Sequence, residues 1–384
     1  MGKNRSGKRK RPNRNYIKPG SYDFTVLFIV LTLVLFGVVM IFSSSYYDTM
    51  TQSKFDNDMY YFLKKQAVWA VIGIIGMVIA MHIPYSFWKR FALAMYWLSN
   101  VFLALLPFVG VEAGGQKRWL PLGPIQFQPS EFTKVAVILY FSLYVCQHRK
   151  SLWNRIGFTR AVMVLGIPVG LIALSNFSSA LLLFLTGAAI LFLASPKVQY
   201  FIGLAAAGLA AAAAFILPPQ YHYRLGRLLI WLDPWTDPKN DGFQSIQSLY
   251  AVGSGGLFGL GLGQSRQKTF MPEAYNDFIF AIICEELGLI GAALVILLFA
   301  VLIWRGIRIA IHAKDYYGMY VAAGITALFA FQSIINMAVV TNTIPNTGQP
   351  LPFISYGGSS LLFLMGLAGI LLNISKYPKT KESE

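Results

Sequence analysis

Four acidic residues lie in or directly beside one long apolar run, within the segment 270–288. Glu273 and Asp277 come where the run begins, and Glu285 and Glu286 lie inside it. An ionised side chain at membrane depth costs about 3 kcal/mol or more unless it is paired or faces water. Each carboxyl group is therefore a candidate functional group, and we expect Asp277 at the water-facing end of the helix.

The spacing of these acids on a helix separates them into two groups. At about 100° per residue, Glu285 lies about 80° around the helix from Asp277 and about 12 Å deeper, so the two carboxyls could face one cavity. Glu286 points the opposite way and is better placed to pair with a neighbouring helix. For both glutamates, a buried pair that locks helices together is an equally good interpretation.

A second charged group begins another apolar run. Pro129 and Ser130 are typical of the first turn of a helix, and Glu131 and Lys134 follow at a spacing of three residues, which lets them pair on one face. Two interpretations stay open. The pair neutralises itself, or Lys134 leaves it to bind an anionic substrate.

Basic and aromatic residues lie in the predicted loops. Trp119, beside Arg118 in a Gly-rich loop, could anchor the chain at the membrane interface or stack on a sugar. Arg224 and Arg227 share one face of a short amphipathic helix, where they could bind lipid headgroups or a substrate phosphate. Gly259–Gly263 superficially resembles a dinucleotide-binding loop, but no strand–helix–strand unit surrounds it. These glycines indicate tight turns or close backbone packing instead.

Together, these residue types predict a site with a carboxylate, several cations and aromatic surface beside lipid. Such a site suits an amphiphile that carries a phosphate and a sugar-like head. The residue types alone do not distinguish transport of that head from a reaction on it.

The elements that must position these residues are membrane-spanning helices. The chain has 384 residues, of which 56% are hydrophobic and 12% charged, and its mean hydropathy is +0.55. Its apolar runs are continuous and long enough to cross about 30 Å of hydrocarbon. We predict an all-α polytopic integral membrane protein with about ten transmembrane helices and a large extracytoplasmic loop, 218–275, between helices seven and eight. The predicted spans are 24–43, 67–83, 91–110, 130–147, 159–175, 178–195, 198–217, 276–304, 317–340 and 353–374.

The distribution of positive charge predicts the orientation. The net charge is +16, and eight of the 32 Lys and Arg residues lie in the first 18 positions, beside the first span. This arrangement indicates a topology signal and contact with anionic lipid rather than nucleic-acid binding. On the predicted spans, 21 basic residues fall on the side of the N-terminus and 10 on the other. Both termini are therefore predicted to be cytoplasmic.

The remaining composition gives the domain organisation and excludes two kinds of site. We divide the chain into a basic tail (1–20), one membrane domain (21–376) and a second cytoplasmic tail (377–384). Cys146 and Cys284 lie far apart inside apolar runs, so no disulfide is predicted. The four histidines have no metal-ligand spacing, so no zinc site is predicted.

A series of longer motifs lies in and beside the predicted loops. They are Lys117–Trp119, Gln128–Glu131, Trp231–Pro238, Phe243–Ser248, Gly253–Gly256, Pro272–Glu273, Asn276–Phe280, Glu285–Gly288 and Pro345–Ser360. In this order they resemble the shape, elongation, division and sporulation (SEDS) family of bacterial membrane proteins, typified by FtsW, RodA and SpoVE. The resemblance covers essentially all of 20–376, and Gly261–Lys268 is more similar to the division and sporulation branch than to the elongation branch.

The resemblance implies an enzyme, a peptidoglycan glycosyltransferase of the bacterial cytoplasmic membrane. Such enzymes polymerise lipid II into β-1,4 glycan strands on the outer face of that membrane, here in septal wall synthesis. They work with a class B penicillin-binding protein, a transpeptidase, and with other divisome membrane proteins. Two alternatives stay open from the residues alone, namely a lipid II flippase and a non-catalytic scaffold of the wall-synthesis complex.

The resemblance also implies roles for particular residues. It places the family's essential aspartate on Asp277, its loop tryptophan on Trp119, and its membrane Glu and Lys on Glu131 and Lys134. Joining a sugar hydroxyl to an anomeric carbon that bears pyrophosphate needs a base, here Asp277, and positive charge at the leaving phosphates. A divalent cation, Mg²⁺ or Mn²⁺, could share that second duty, although no motif indicates a metal site. The basic residues expected to supply the charge are Lys134, Arg118, Arg224 and Arg227.

Some residues extend the family pattern and others depart from it. Glu285 and Ser355 complete the candidate substrate-binding residues. Asn276 and Tyr275 stand where the family usually has Thr and His, and Asn176 begins the segment where it often has an Asp. No acidic role is assigned to the Asn176 segment.

Overall fold

A computed structural model confirms the predicted all-α membrane fold. The structure describes residues 20–379 apart from 52–54, 56–57, 114–115, 123–124, 196, 217–225, 227–228 and 241. The helices are α1 (Phe24–Thr51), α2 (Tyr61–His82), α3 (Tyr85–Val109), α4 (Pro129–Gln147), α5 (Arg155–Ala173), α6 (Phe177–Ala194), α7 (Val198–Ile216), α8 (Phe243–Ser254), α9 (Ile279–Ile311), α10 (Tyr316–Val340) and α11 (Gly358–Ser375).

Each of the ten predicted spans corresponds to one of the long helices. Eight of these helices are long and apolar enough to cross a membrane, namely α1, α2, α3, α5, α6, α9, α10 and α11. The first turns of α4 contain Glu131 and Lys134, and the described apolar part of α7 is Val198–Gly208. The chain is therefore a multi-pass membrane protein.

The ends of several helices differ from the predicted spans. α1 continues to Thr51 because Ser43, Ser44 and Ser45, which interrupt its hydropathy, are buried inside the protein. α11 begins only at Gly358, since the residues before it form turns in which Phe353 has a positive φ of 65°.

The long helices alternate in direction, so the bundle has two distinct ends. One end, called the loop end below, carries the segments 111–127, 229–278 and 341–357. At the opposite end the first and last described segments meet, and the Gly20 amide donates to the Lys376 carbonyl at 2.8 Å. At the same end Asp23 pairs with Arg305 at 2.6 Å.

A small antiparallel sheet forms in the segment 111–127, where no strand is predicted. Its strands are β1 (Val111–Ala113), β2 (Gln116–Leu122) and β3 (Ile125–Phe127), with β2 in the centre. β1 and β3 have three residues each, which is too short for a periodic signal, and β2 lacks apolar–polar alternation and contains Pro121. Because successive residues of a strand point to opposite faces, the sheet turns Arg118 and Trp119 to opposite sides of β2.

α9 is interrupted at Gly288, and a preceding loop makes hydrogen bonds with the backbone groups that the interruption leaves free. Gly288 has φ 65° and ψ −165°, which no helix allows. The glycine-rich segment 255–263 lies against this break, where Leu260 and Gly261 donate to the carbonyls of Glu285 and Glu286 at 2.9 and 3.0 Å. Leu289 and Ile290 in turn donate to Gly256 and Leu257 at 2.9 and 3.2 Å. Irregular backbone at membrane depth is tolerated only when protein satisfies it in this way.

The glycines at this junction are required by close packing, as predicted. A Cβ on Gly255 would lie 2.0 Å from the Cys284 carbonyl oxygen, and one on Gly259 would lie 2.2 Å from that of Glu286. Both distances are far shorter than any van der Waals contact.

Candidate functional site

Asp277 lies at the loop end, two residues before α9 begins. Its backbone carbonyl accepts a hydrogen bond from the Asn336 side chain of α10 at 2.7 Å, and the same amide group donates to the Gln349 carbonyl at 2.8 Å. Gly348, with a positive φ of 60°, lies against the carboxylate, since a Cβ there would be 3.2 Å from Asp277 Oδ2. Asn336 thus links the Asp277 backbone to the segment around Gly348 and Gln349, which the Asp277 carboxylate faces.

The surroundings of Asp277 change its acidity. The pKa of Asp277 is raised to about 6, mainly by loss of solvent on burial and then by the charge of Glu273, while the Arg118 guanidinium acts to lower it. Burial acts this way because it disfavours the charged form of a carboxyl group. A carboxylate with a pKa near 6 is ionised at neutral pH and still basic enough to accept a proton in a reaction.

Arg118 is brought to Asp277 by the central strand of the sheet. Its Nε donates to the Ser175 carbonyl, just beyond the end of α5, at 3.4 Å, and its charge acts on Asp277. Trp119, on the other side of β2, is partly buried. The Arg118 charge is therefore near enough to act on Asp277, while the proposed sugar contact of Trp119 stays a prediction.

The predicted pair of Glu131 and Lys134 forms at the start of α4. The Lys134 Nζ lies 2.7 Å from Glu131 Oε1, and both side chains are almost fully buried. Ser360 of α11 donates to the other oxygen of Glu131 at 3.0 Å. Apart from this ion pair, the Lys134 ammonium has no hydrogen-bond partner among the described residues, so donors remain for an anion.

Ser355 connects the two halves of the site. Its hydroxyl donates to the Asn276 carbonyl and accepts from the Leu351 amide, both at 2.7 Å. Since Ser355 and Ser360 are five residues apart, one segment is bound to both the Asp277 loop and Glu131. Both hydrogen bonds of the Ser355 hydroxyl go to backbone groups, and its predicted contact with substrate stays a prediction.

Glu285 has neighbours other than the predicted ones. Its carboxylate accepts from the Ser265 hydroxyl at 2.5 Å and from the backbone amides of Arg266 and Gln267 at 3.0 and 3.3 Å. The predicted cavity shared with Asp277 assumed one continuous helix, whereas α9 begins at Ile279, after Asp277. Glu285 is fully buried, and in this structure it binds residues 265–267, which follow the glycine-rich segment 255–263.

Glu286 forms a buried ion pair with Lys268, a partner that was not predicted from the sequence. Its Oε1 lies 3.1 Å from the Lys268 Nζ, and both side chains are at most 1% exposed. Ser43 of α1 donates to its other oxygen at 2.5 Å, so the predicted contact with a neighbouring helix is present. Lys268 also donates to the Gly263 carbonyl at 2.7 Å and faces the Tyr46 ring at 4.6 Å. Because a buried carboxylate needs a cation, Glu286 itself indicated that a basic residue such as Lys268 should lie beside it.

Asn336 is a second residue that the sequence analysis missed. Gln332, Ser333 and Asn336 are buried polar side chains in an otherwise apolar helix. Polar residues within a span mark functional positions in the same way that charged ones do, so their spacing was an available signal.

Two parts of the predicted site remain outside these observations. Arg224 and Arg227 lie outside the described residues. In the described ranges, no three His, Cys, Asp or Glu side chains are close enough to hold a metal ion. Since Mg²⁺ is usually held by one or two carboxylates together with substrate phosphates, the expected divalent cation stays a prediction.

Comparison with known sequences gives matches along nearly the whole chain. A model of the family FtsW, RodA and SpoVE, described as cell cycle protein, matches residues 24–380. The chain is 41% identical over 367 residues to stage V sporulation protein E of Bacillus subtilis, which covers 94% of this chain and 99% of that protein. It is 42% identical over 361 residues to the probable peptidoglycan glycosyltransferase FtsW of Geobacter sp. (strain M18), which covers 92% and 96%.

Two solved structures are similar to this one. A chain from a study titled structural coordination of polymerization and crosslinking by a peptidoglycan synthase complex is 26% identical, with a TM-score of 0.75. That match covers 92% of this chain and 97% of the other. The rod shape determining protein RodA of Thermus thermophilus is 24% identical, with a TM-score of 0.65 and coverage of 92% and 96%, and shares the fold.

Proposed function

This chain belongs to the SEDS family of FtsW, RodA and SpoVE, and on that basis we propose that it is a peptidoglycan glycosyltransferase. It polymerises lipid II into β-1,4 glycan strands during septal wall synthesis. The observation that carries this proposal is the carboxylate of Asp277 at the loop end, whose pKa is raised by burial and which lies within range of the Arg118 charge.

Asp277 acts as the general base in this proposal. An acceptor sugar hydroxyl gives its proton to Asp277 as its oxygen bonds to the anomeric carbon of the donor. The bond between that carbon and the pyrophosphate oxygen breaks, and the lipid pyrophosphate leaves with the electron pair. An α-linked donor that gives a β-linked product requires one displacement with inversion, so one base suffices, by analogy with inverting glycoside hydrolysis.

In this proposal, Arg118 and Lys134 stabilise the leaving pyrophosphate. The Arg118 guanidinium already acts on Asp277, and the fork of an arginine matches phosphate oxygens. Lys134 is buried with a single carboxylate partner, and it would exchange part of that pairing for a phosphate. Positive groups held in place before the reaction cost no reorganisation when charge develops.

The proposal places the loop end on the extracytoplasmic side and both termini in the cytoplasm. Support comes from the basic residues, of which 21 of 32 fall on the side of the termini. Cytoplasmic segments of bacterial membrane proteins carry such an excess. Asp277 then lies at the membrane surface where a lipid-linked sugar presents its head.

We further propose that a class B penicillin-binding protein is the partner, together with other divisome membrane proteins. The support is the similar chain from a peptidoglycan synthase complex that coordinates polymerization and crosslinking. A transpeptidase crosslinks the strand that the polymerase makes, so a stable complex of the two would transfer the strand directly from one active site to the other.

The deeper charges favour polymerisation over transport of lipid II. A flippase needs polar groups along a path through both leaflets. Here Glu285 accepts from the Arg266 amide of the preceding loop, and Glu286 pairs with Lys268 of the same loop. All three charged side chains are at most 1% exposed. These charges are therefore committed to the structure of α9 and do not line an open path.

The test is polymerisation of purified lipid II in proteoliposomes, with and without the transpeptidase partner. Asp277→Asn should abolish strand formation, whereas Glu273→Gln, which removes an exposed carboxylate four residues away, should retain it. Polymer formation by Asp277→Asn would refute the assignment of the base. Translocation of lipid II without polymer by the wild type would favour the flippase, and neither activity would favour the scaffold.

A further inference from the structure

A polar cavity of about 390 Å³ opens at the loop end. Its walls come from the segment before α8, the first turn of α8, and the segment after α10. The side chains that matter for its chemistry are Trp231, Lys239, Asn240, Phe243, Gln244 and Asn346. The cavity has the size of an ordinary ligand site, for which about 300–1,000 Å³ is typical.

Hydrogen bonds between its walls hold the cavity in shape. The indole N–H of Trp231 donates to the Asn342 carbonyl at 3.0 Å, and the Asn342 side chain donates back to the Trp231 carbonyl at 3.1 Å. The Asn346 side-chain amide donates to the side-chain oxygen of Gln244 at 3.5 Å, and the side-chain oxygen of Asn346 accepts from the Gly348 backbone amide at 3.1 Å. The site is therefore preformed, which lowers the cost of binding.

The residue types in the cavity fit an N-acetylated saccharide. The amide side chains of Asn240, Gln244 and Asn346 both donate and accept, as sugar hydroxyls and acetamido groups do. An aromatic residue such as Trp231 offers an apolar face with a polar edge, which suits the apolar face of a sugar ring. Lys239 adds one cation, which suits a carboxylate carried on the saccharide.

The cavity lies close to the carboxylate of Asp277. Asn346 in its wall is two residues from Gly348, which places their Cα atoms at most about 7 Å apart. A Cβ on Gly348 would in turn lie 3.2 Å from Asp277 Oδ2. Pro272, also in the wall, precedes Asp277 by five residues. Sugar rings that extend from Asp277 along 346–348 would enter the cavity.

We propose that this cavity is a subsite for the growing glycan strand, which binds N-acetylated hexosamines one or more rings away from the bond being formed. This inference rests on the proposed polymerase function. It predicts that the cavity contributes to strand length, because a polymerase that holds its product releases it less often.

The test uses the full-length protein in nanodiscs and a defined soluble tetrasaccharide of alternating N-acetylglucosamine and N-acetylmuramic acid, with its peptides. Binding to Asp277→Asn protein is measured by calorimetry, with and without the added double substitution Lys239→Ala/Gln244→Ala. We expect at least tenfold weaker binding with the double substitution. The matched control, Lys314→Ala/Gln264→Ala, removes an exposed lysine and glutamine elsewhere and should leave binding unchanged.

Strand length separates the failure of this inference from failure of the proposed function. In the lipid II assay, Lys239→Ala/Gln244→Ala protein with Asp277 intact should make strands several-fold shorter than the wild type on a gel. Unchanged binding and unchanged strand length, in an enzyme that polymerises, would overturn the subsite and leave the function standing. Binding that depends on the cavity, in a protein that makes no polymer, would support the saccharide site and refute the polymerase.

Discussion

Asp277→Asn should stabilise the folded protein at neutral pH while it abolishes the proposed activity. Burial raises the pKa of Asp277 from its ordinary 3.8 to about 6, so the fold disfavours the ionised carboxylate. At 1.36 kcal/mol per tenfold change in proton affinity, this difference corresponds to at most about 3 kcal/mol. Asp277 as a whole residue is half-buried, and screening by nearby water reduces the expected gain to about 1–3 kcal/mol.

The pH dependence of this gain follows from the sign of the change. Above pH 6 the carboxylate is ionised in both the folded and the unfolded chain, and the folded chain bears the full penalty. As the pH falls below 6, the folded chain binds the proton first and the penalty decreases, until the unfolded chain is protonated as well. The advantage of Asp277→Asn should therefore be full at pH 7.5, about a third as large at pH 4.5, and nearly absent below about pH 3.

The assay is thermal unfolding of both proteins in the same nanodiscs at pH 7.5 and 4.5, followed by intrinsic fluorescence. We expect the apparent melting temperature of Asp277→Asn to be roughly 2–6 °C higher at pH 7.5. Comparison of two variants at each pH removes effects of pH on the rest of the protein. An equal or lower melting temperature for Asp277→Asn at pH 7.5 would refute the argument that this carboxylate is held at a cost.

Two further predictions use the charges around the site. Glu273→Gln should move the acidic limb of the pH–rate profile of lipid II polymerisation to lower pH, and Arg118→Gln should move it to higher pH, because these charges act on Asp277 in opposite directions. Shifts of the same sign would contradict the described geometry. Lys268→Met should cost about 3–5 kcal/mol of stability by leaving Glu286 buried and unpaired, seen as a lower melting temperature. Adding Glu286→Gln should restore most of this loss, and no recovery would show that the ion pair is not what the lysine stabilises.

The sequence predicted the helices well because apolar runs report membrane burial directly. The ends were predicted less well, since hydropathy treats Ser43–Ser45 as the end of a span, whereas these serines face protein in α1. The short sheet around Arg118 was not predicted, because two of its strands have only three residues and the third, β2, contains Pro121 and does not alternate between apolar and polar residues.

The candidate site was predictable where a single residue carried the signal and not where two distant segments meet. Asp277 and the Glu131–Lys134 pair follow from the cost of charge in a membrane and from helical spacing. The neighbours of Glu285 were not predictable, because they depend on a break at Gly288 that is stable only when the segment 255–263 lies against it. The pattern of apolar and polar residues along the chain does not show that these two segments are in contact.

The broken helix α9 has a consequence for how the chain enters the membrane. The first half of α9 brings two acids into the bundle, and the groups that neutralise them, Lys268 and the amides of 265–267, precede it in the chain. These groups emerge from the ribosome before the acids do. The acids of α9 therefore enter the membrane with these partners in one contiguous segment, 265–286, and their neutralisation does not wait for a later helix to be synthesised.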